Sequence, residues 1–295
     1  MTGRFHSLVV RKAGDNFVEG TDRAMRTQAE KGQVFRGLHQ RKSAFVIPNP
    51  WDIGSARMLA HLGFEALATT SGGYAFSMGQ RDYTVGREAV LAHISALASA
   101  TDLPLSADLE NGFGDAPESA AETIRLAAAA GAVGGSIEDA TGRADHPIYE
   151  PEIAADRIRA AAEIARGLGF PFMLTARAEN YLHGRRDLKD TIGRLQAYQE
   201  AGAGVLYAPG LTNKDEIAAL ASSVDRPVNV LVGIPGAPLK LADLSAIGVR
   251  RVSLGSGLAR ATFGSLFSAA REMLENGTFA FAEKAPSSRD IGAMF

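Results

Sequence analysis

The segment Pro104-Leu-Ser-Ala-Asp-Leu-Glu-Asn-Gly-Phe-Gly114 contains the pattern that decides the fold of this 295-residue chain. It begins as a short apolar strand, supplies two carboxylates two residues apart, and turns sharply at its glycines. A helical pattern follows, beginning with Asp115 and Glu118 at the spacing of a capping box, and a second apolar run lies at Gly135–Asp139. A strand, a helix and a second strand in this order predict one parallel βαβ unit.

The same unit repeats along the chain in both directions. Eight short β-branched or apolar runs each precede a helical pattern, and this number is the one expected for a (β/α)8 barrel. The runs are Phe45–Pro48, Ala66–Ser71, Pro104–Glu110, Gly135–Asp139, Phe172–Arg177, Gly204–Ala208, Pro227–Val232 and Arg251–Leu254. We therefore predict an α/β TIM barrel at residues 43–277. An N-terminal extension with a capping helix occupies residues 1–42, and a C-terminal tail occupies residues 278–295.

Composition and charge exclude several classes of protein. The chain has no cysteine, which excludes disulfide scaffolds, thiolate zinc sites, iron–sulfur clusters and cysteine nucleophiles. The 31 Lys and Arg against 33 Asp and Glu give a formal net charge of -2 without a block of like charge, so we expect no nucleic-acid partner. The apolar runs are far shorter than the roughly 18 residues of a membrane span, and no export signal is evident. These observations predict a cytoplasmic protein without a membrane partner.

Polar side chains cluster where the predicted strands end, and the C-terminal strand ends form the active-site face of a barrel. Asp108 and Glu110 are two residues apart and therefore point to the same side of their strand, while Glu138 and Arg177 end the next two strands. Converging carboxylates repel one another unless a cation lies between them, and ligation by oxygen alone favours Mg2+ or Mn2+ over zinc. The alternative is that these acids only cap helices and pair with nearby arginines.

Four further features have two interpretations each. The Arg177 guanidinium needs an anionic partner, which is either a carboxylate of the site or the substrate. Ser71-Gly72-Gly73 brings backbone N–H groups close to a carboxylate or phosphate, or is a plain strand-to-helix turn. Asn229 faces either a ligand or a neighbouring strand. Gly255-Ser-Gly257 either starts a phosphate-binding helix or only leads into the last helix.

Together these segments resemble the isocitrate lyase and phosphoenolpyruvate mutase superfamily. Residues 107–114 are similar to its D-x-D-x-G-[YF]-G signature, and residues 136–139 are similar to its next metal-side strand. Residues 174–177 are similar to its A-R-T-D strand, and residues 70–73 to its substrate-carboxylate loop. The matches come in the family's order, and the resemblance extends over residues 35–275.

The resemblance implies a barrel whose last helix is exchanged with a neighbouring subunit in a homodimer or homotetramer. It also implies a Mg2+ ion that holds a small 2-oxo acid or its enolate. The residues that it implicates are Asp108, Glu110 and Glu138 at the metal, directly or through water, Ser71, Gly72, Gly73 and Arg177 at the substrate, and Asp82 close to the metal side.

The chain also departs from the family's pattern. Lyases of this superfamily that cleave isocitrate or methylisocitrate share a K-K-C-G-H loop after strand four, whose thiol is the catalytic acid/base. Here residues 140–147 read Ala-Thr-Gly-Arg-Ala-Asp-His-Pro, without a thiol, so we predict that the chain is not a Cys-dependent lyase of that type. Arg143 and His146 on this loop are our candidates for the general acid or base. The second signature Asp is Glu110, which is one methylene longer.

We therefore predict a Mg2+-dependent enzyme that acts on a small 2-oxo carboxylate through an enolate, by C–C or P–C cleavage or rearrangement. One alternative is a metal-independent, phosphate-binding barrel isomerase that uses the turn at residues 255–257, for which activity would survive EDTA. The other alternative is a non-catalytic barrel that serves as a binding protein. It would be excluded by Mg2+-dependent turnover of any 2-oxo acid.

Overall fold

The computed structural model describes residues 25–233 and 239–295, and its centre is an eight-stranded parallel sheet. The strands are β1 (Phe45–Ile47), β2 (Leu67–Ala68), β3 (Leu105–Asp108), β4 (Gly134–Glu138), β5 (Met173–Arg177), β6 (Val205–Tyr207), β7 (Val228–Leu231) and β8 (Arg251–Ser253). They pair in the order β1-β8-β7-β6-β5-β4-β3-β2, and the Ala68 N–H donates to the Pro48 carbonyl at 3.0 Å across the remaining gap. The sheet is a nearly closed (β/α)8 TIM barrel, which confirms the predicted fold class.

Helices lie between the strands and at both ends of the described chain. They are α1 (Gln28–Gln40), α2 (Ile53–His61), α3 (Ser71–Ser77), α4 (Arg87–Ala100), α5 (Pro117–Ala129), α6 (Pro151–Gly167), α7 (Leu188–Ala201), α8 (Lys214–Ser222), α9 (Leu241–Ala246), α10 (Gly257–Asn276) and α11 (Ser288–Gly292), with a 3₁₀ turn at Ala280–Lys284. The first 24 residues of the predicted N-terminal extension lie outside the described residues.

The predicted N-cap at Asp115 is wrong. Helix α5 begins at Pro117, and no side chain caps its first turn. The reason is that other groups engage the Asp115 carboxylate, which accepts a hydrogen bond from the Tyr149 hydroxyl at 2.5 Å and pairs with Arg143 at 2.7 Å. A proline at the first helical position needs no N–H partner, so the helix starts without the cap.

Helix α1 covers the end of the barrel where the strands begin. It starts with a capping box, in which Thr27 accepts from the Glu30 N–H and Glu30 accepts from the Thr27 N–H. Its inner face buries Phe35 and Leu38, which pack in an apolar cluster with Phe45, Ile47, Ala66 and Val133. Since burial of one such large side chain contributes roughly 1.5–3 kcal/mol, this cluster fixes α1 beneath the barrel.

The barrel interior above this cluster is polar. Inward layers of TIM barrels are usually dominated by Val, Ile and Leu. Here the strands instead bury Ser106, Thr175, Asn229, Arg251 and Ser253. The larger apolar core lies between the sheet and the surrounding helices. A polar interior indicates a place prepared for a polar ligand, because buried polar groups require partners.

Helix α10 is exposed along most of its length. Of its 20 residues only Ala259 is buried. Its apolar residues Leu266, Phe267 and Leu274 are 63%, 59% and 86% exposed. An apolar face of this extent indicates a contact surface. Within residues 25–233 and 239–295, no helix combines the length and apolar character that crossing a membrane requires.

Candidate active site

One cavity of about 150 Å³ opens at the carboxyl ends of the strands. Its outer wall includes Ser71, Asp108 and Arg177, and its inner wall includes Asn229 and Arg251. A cavity of this volume can hold benzene, so it suits a ligand of roughly six to ten heavy atoms. The cavity has the position of an active site in a TIM barrel.

Arg177 is the centre of the charged network at this end. Its guanidinium lies 2.9 Å from an Asp108 oxygen, 2.9 Å from a Glu138 oxygen and 2.8 Å from a Glu179 oxygen. Burial by itself lowers the pKa of Arg177, but attraction by Glu138, Glu179 and Asp108 outweighs it, so the pKa lies well above its usual range. Of the two partners that the sequence left open, the structure provides the site carboxylates.

A second ion pair holds Glu179 in place. The Glu179 N–H donates to one Asp139 oxygen at 2.7 Å, and the other Asp139 oxygen accepts from Arg194 at 3.1 Å and from the Tyr198 hydroxyl at 2.6 Å. Burial raises the pKa of Asp139, and the hydrogen bond from Tyr198 opposes that rise. Arg194 and Tyr198 were not predicted as site residues, because both lie on α7 and nothing in their spacing points to β4.

Glu110 and Asp82 add negative charge to the site. Glu110 is 7% exposed, and its carboxylate forms no hydrogen bond or ion pair with the rest of the described chain. Burial raises the pKa of Glu110 to about 8, and repulsion by Asp108 and Asp82 contributes to the rise. Burial also raises the pKa of Asp82, with Asp108 contributing. This excess of carboxylates favours a bound cation.

The oxygen donors fit a hydrated Mg2+ ion better than a closed metal cage. In the described part of the chain no three His, Asp or Glu side chains are gathered closely enough to form such a cage. Of the predicted ligands Asp108, Glu110 and Glu138, the last is turned toward Arg177 and the Tyr83 hydroxyl. Mg2+ usually keeps several waters and takes one or two carboxylates together with substrate oxygens. Asp108 lines the cavity, so it is a carboxylate that a hydrated Mg2+ ion could bind there together with substrate oxygens.

Residues 71–73 form the first turn of α3. The Thr70 side chain caps the helix by accepting from the Gly73 N–H at 3.2 Å, and the Ser71 N–H donates to Asp108 at 3.0 Å. At Gly72 a Cβ atom would lie 2.9 Å from an Asp82 oxygen, so any other residue there would displace the Asp82 carboxylate. The segment is thus a strand-to-helix turn, and its Ser71 and Gly72 also line the cavity.

Two loops beside the site contain strained backbone. In the described ranges the residues other than glycine with positive φ are Tyr83, Glu110 and Phe113, at 64°, 50° and 58°. This conformation costs roughly 1–2 kcal/mol per residue and persists only where the surroundings enforce it. At Tyr83 the enforcing contact is the hydroxyl, which donates to Glu138. The sequence gives no signal for this contact, because Tyr83 lies in a loop beyond any periodic pattern.

Asn229 and Arg251 form the inner end of the cavity. Asn229 donates to the Ser253 hydroxyl and accepts from Arg251 Nε, both at 2.9 Å, so it bonds a neighbouring strand and lines the cavity as well. Arg251 also donates to the Thr175 hydroxyl at 3.0 Å. Arg251 was not predicted as a site residue. The available signal was the one used for Arg177, a guanidinium within a predicted strand.

Asn49 organises the turn after β8 and was also missed. Its side-chain oxygen accepts from the N–H groups of Leu254 and Gly255 at 2.9 and 3.0 Å, and its amide donates to the Thr69 carbonyl at 2.9 Å. The Gly255 N–H, one of the donors that a phosphate at residues 255–257 would use, is therefore occupied by a side chain.

Arg143 and His146 are not brought to the cavity. The Arg143 side chain is 45% exposed and pairs with Asp115 at 2.7 Å. His146 is exposed, and its backbone carbonyl accepts a hydrogen bond from the Thr141 hydroxyl. Neither residue is among those that line the cavity.

Comparison with known proteins gives a consistent picture. A family model described as phosphoenolpyruvate phosphomutase matches residues 35–274. A crystal structure of a candidate lyase/mutase from Burkholderia cenocepacia J2315 is 62% identical, with a TM-score of 0.89 over 90% of this chain and 95% of that one. The 2-methylisocitrate lyase of Escherichia coli (strain K12) is 29% identical over 205 residues, which are 67% of this chain and 68% of that enzyme. An oxaloacetate decarboxylase of Bradyrhizobium sp. (strain BTAi1) is 30% identical over 211 residues, 68% of this chain and 69% of that enzyme.

Proposed function

The chain belongs to the phosphoenolpyruvate phosphomutase family, and we propose that it is a Mg2+-dependent enzyme that acts on a small 2-oxo carboxylate through an enolate. Its relatives are lyases, mutases and hydrolases of small oxo acids, and the chain is an enzyme of this kind. The specific reaction that we assign is cleavage or rearrangement at a C–C or P–C bond. The observation that supports it best is a cavity at the strand ends bordered by Arg177 and an excess of carboxylates.

The cavity volume and its donors support a small oxo acid as the substrate. Oxaloacetate and phosphonopyruvate, with roughly nine and ten heavy atoms, are within the size that about 150 Å³ accommodates. We assign the substrate carboxylate to the Ser71 hydroxyl and the Gly72 N–H, with Gly73 as part of the turn that holds them. Asn229 would contact the other end of the substrate.

We assign Mg2+ binding to Asp108, with Asp82, Glu110 and Glu138 acting directly or through water. Asp108 is oriented by the Ser71 N–H and by Arg177, and a carboxylate with four lone-pair sites can still accept a cation. When bound, Mg2+ supplies Lewis-acid stabilisation of the negative charge that develops on the substrate oxygens. Burial is the main cause of the raised pKa of Glu110, and a bound cation would relieve the further contribution that comes from repulsion by Asp108 and Asp82.

The role that we assign to Arg177 is electrostatic. Breaking a bond next to a 2-oxo acid leaves an enolate, so negative charge grows in the cavity during the reaction. Arg177 is fixed by three carboxylates and needs no reorganisation to meet that charge. The chain has no cysteine, so a Cys-dependent lyase mechanism is excluded and another group must transfer the proton. Arg143 and His146, the sequence-based candidates for this role, lie outside the cavity wall, so we expect their replacement to leave turnover nearly unchanged.

The exposed face of α10 supports an oligomer. We assign Leu266, Phe267 and Leu274 to contact with a second subunit in a homodimer or homotetramer, because an apolar face of this size is rarely left to solvent. This arrangement agrees with the helix exchange that the sequence resemblance implies.

The test of the function is a screen of 2-oxo acids and phosphonates for release of pyruvate or phosphate, with Mg2+ and with EDTA. We expect turnover of at least one compound with Mg2+ and none with EDTA. Asp108→Asn should lower kcat/KM at least about 100-fold and weaken Mg2+ binding in titration calorimetry. Asp156→Asn, on the exposed surface of α6, is the matched control and should leave both quantities unchanged.

Three other results would contradict the proposal in distinct ways. Activity that survives EDTA would favour the metal-independent isomerase, although Asn49 occupies the Gly255 N–H of the turn that this alternative uses. No turnover of any compound would favour the non-catalytic binding protein. Mg2+ binding that is unchanged in Asp108→Asn would refute the metal assignment.

A further inference from the structure

Arg251 is a second guanidinium at the cavity wall, and its surroundings differ from those of Arg177. It is 5% exposed and forms no ion pair within the described part of the chain. Its Nε donates to Asn229 at 2.9 Å and its Nη2 to the Thr175 hydroxyl at 3.0 Å, while its Nη1 lies 3.5 Å from His39 Nε2. All three partners are uncharged groups.

These contacts leave the positive charge of Arg251 without a counter-ion. Burial lowers the pKa of His39 to about 3, and Arg251 contributes, so the imidazole is neutral at physiological pH. Burial lowers the pKa of Arg251 to about 10, so the guanidinium is still protonated. A buried charge without a partner is strongly unfavourable, whereas an anion supplied by a ligand would compensate it.

The strand register places Arg251 at the inner end of the cavity. It is the first residue of β8, and Ser253 lies two residues closer to the mouth. On β3 the same relation holds between Ser106 and Asp108. Both Ser106 and Arg251 line the cavity, and the Ser106 hydroxyl has no hydrogen-bond partner among the described residues. A guanidinium has five N–H donors, and three are directed at the contacts above, so two stay available to a ligand.

We propose that Arg251 and Ser106 form an anion subsite at the floor of the cavity, which binds the distal carboxylate of a substrate whose 2-oxo-acid end lies at Ser71. The inference rests on the proposed function, because it extends the same substrate toward the barrel interior. Arg177 is less suited to this role, since Asp108, Glu138 and Glu179 already compensate its charge. The subsite selects acids with two carboxylates over acids with one.

The test compares binding of L-malate and L-lactate by titration calorimetry in the presence of Mg2+. Both compounds have a 2-hydroxy carboxylate end, and malate has one further carboxylate. Because hydrogen bonds to charged groups change affinity by roughly 10–100-fold, we expect malate to bind at least about 10-fold more tightly than lactate. In Arg251→Met this preference should fall to about twofold or less, while the Kd of lactate stays within about twofold of its original value.

Arg250→Met is the matched control, because it removes the same charge from the neighbouring residue, whose guanidinium contacts the backbone carbonyls of Gly248 and Val249. It should leave the malate preference unchanged. If Arg251→Met does not fold, Arg251→Lys keeps a charge but loses the planar fork, and it should reduce the preference by at least about threefold.

The possible failures are distinguishable. If the wild-type protein binds both acids equally, or if a folded Arg251 variant keeps the full preference, the subsite is refuted and the proposed function is not. If neither acid binds with Mg2+, the proposed function and the subsite are refuted together.

Discussion

Replacing Arg177 by methionine should lower the free energy of unfolding by about 3–5 kcal/mol, because it removes the one cation that three carboxylates share. The Arg177 side chain is 13% exposed, and those of Glu138 and Glu179 are 1% exposed. Water therefore cannot replace the guanidinium at these two oxygens. The magnitude is that of a buried ion pair broken from one side, which leaves charges without a partner.

The same change should make stability depend on pH. Burial raises the pKa of both Glu138 and Glu179 even in the presence of Arg177, and loss of the guanidinium raises both further. A carboxyl group with a raised folded-state pKa stabilises the fold below its unfolded value of about 4.3, and this contribution is lost as the pH rises through the folded-state pKa. The deficit of Arg177→Met should therefore be larger at pH 8 than at pH 5.

The assay is urea unfolding at one fixed protein concentration, followed by the fluorescence of the single tryptophan, Trp51, and by circular dichroism. Arg159→Met is the control, since its ion pair with Asp156 on α6 is exposed and should contribute at most about 1 kcal/mol. A loss below about 1 kcal/mol for Arg177→Met, or a deficit that does not change with pH, would refute the reasoning.

Three further predictions concern other parts of the site and the surface. With EDTA present, the free energy of unfolding should decrease as the pH rises toward 8, because burial raises the pKa of Glu110 to about 8. Glu110→Gln should flatten this pH dependence in urea titrations, and an unchanged pH dependence in the variant would contradict the prediction. Replacing Arg143 or His146 by alanine tests whether either residue is the general acid or base. Both side chains lie outside the cavity wall, so we expect kcat to change less than about threefold. A loss of about 100-fold would instead show that the residue transfers the proton. Leu266→Asp should reduce the molar mass measured by light scattering after size-exclusion chromatography, and an unchanged mass would exclude this face of α10 as the subunit contact.

The elements of the barrel could be predicted because their signals are local. Seven of the eight predicted runs contain the observed strand, and the run Gly135–Asp139 is displaced by one residue from β4. A short β-branched or apolar segment between turn residues leaves few other structures open. Asp187 caps α7, and a cap of this kind is a local signal because its partners, the N–H groups of residues 189 and 190, are near in sequence. Asp115 failed as a cap because its partners Tyr149 and Arg143 are distant in sequence and compete for the carboxylate.

The site could be predicted only as far as the strand ends. Asp108, Glu138 and Arg177 follow from the rule that strand ends face the mouth of a barrel, and the structure brings them together. The contact of Tyr83 with Glu138 could not be predicted, because it depends on a left-handed backbone in a loop. The position of Arg251 at the cavity wall could not be predicted either. It depends on which side chains occupy the barrel interior, and all eight strands together determine this.

The apolar cluster of Phe35 and Leu38 beneath the barrel has a kinetic consequence. Because α1 covers one end of the barrel, a ligand in the described cavity can be exchanged only through the mouth at the other end. A substrate that is split into two fragments must then release them in order, the fragment nearer the mouth first. Steady-state kinetics would reveal this order, because the fragment released last inhibits competitively with the substrate and the fragment released first does not.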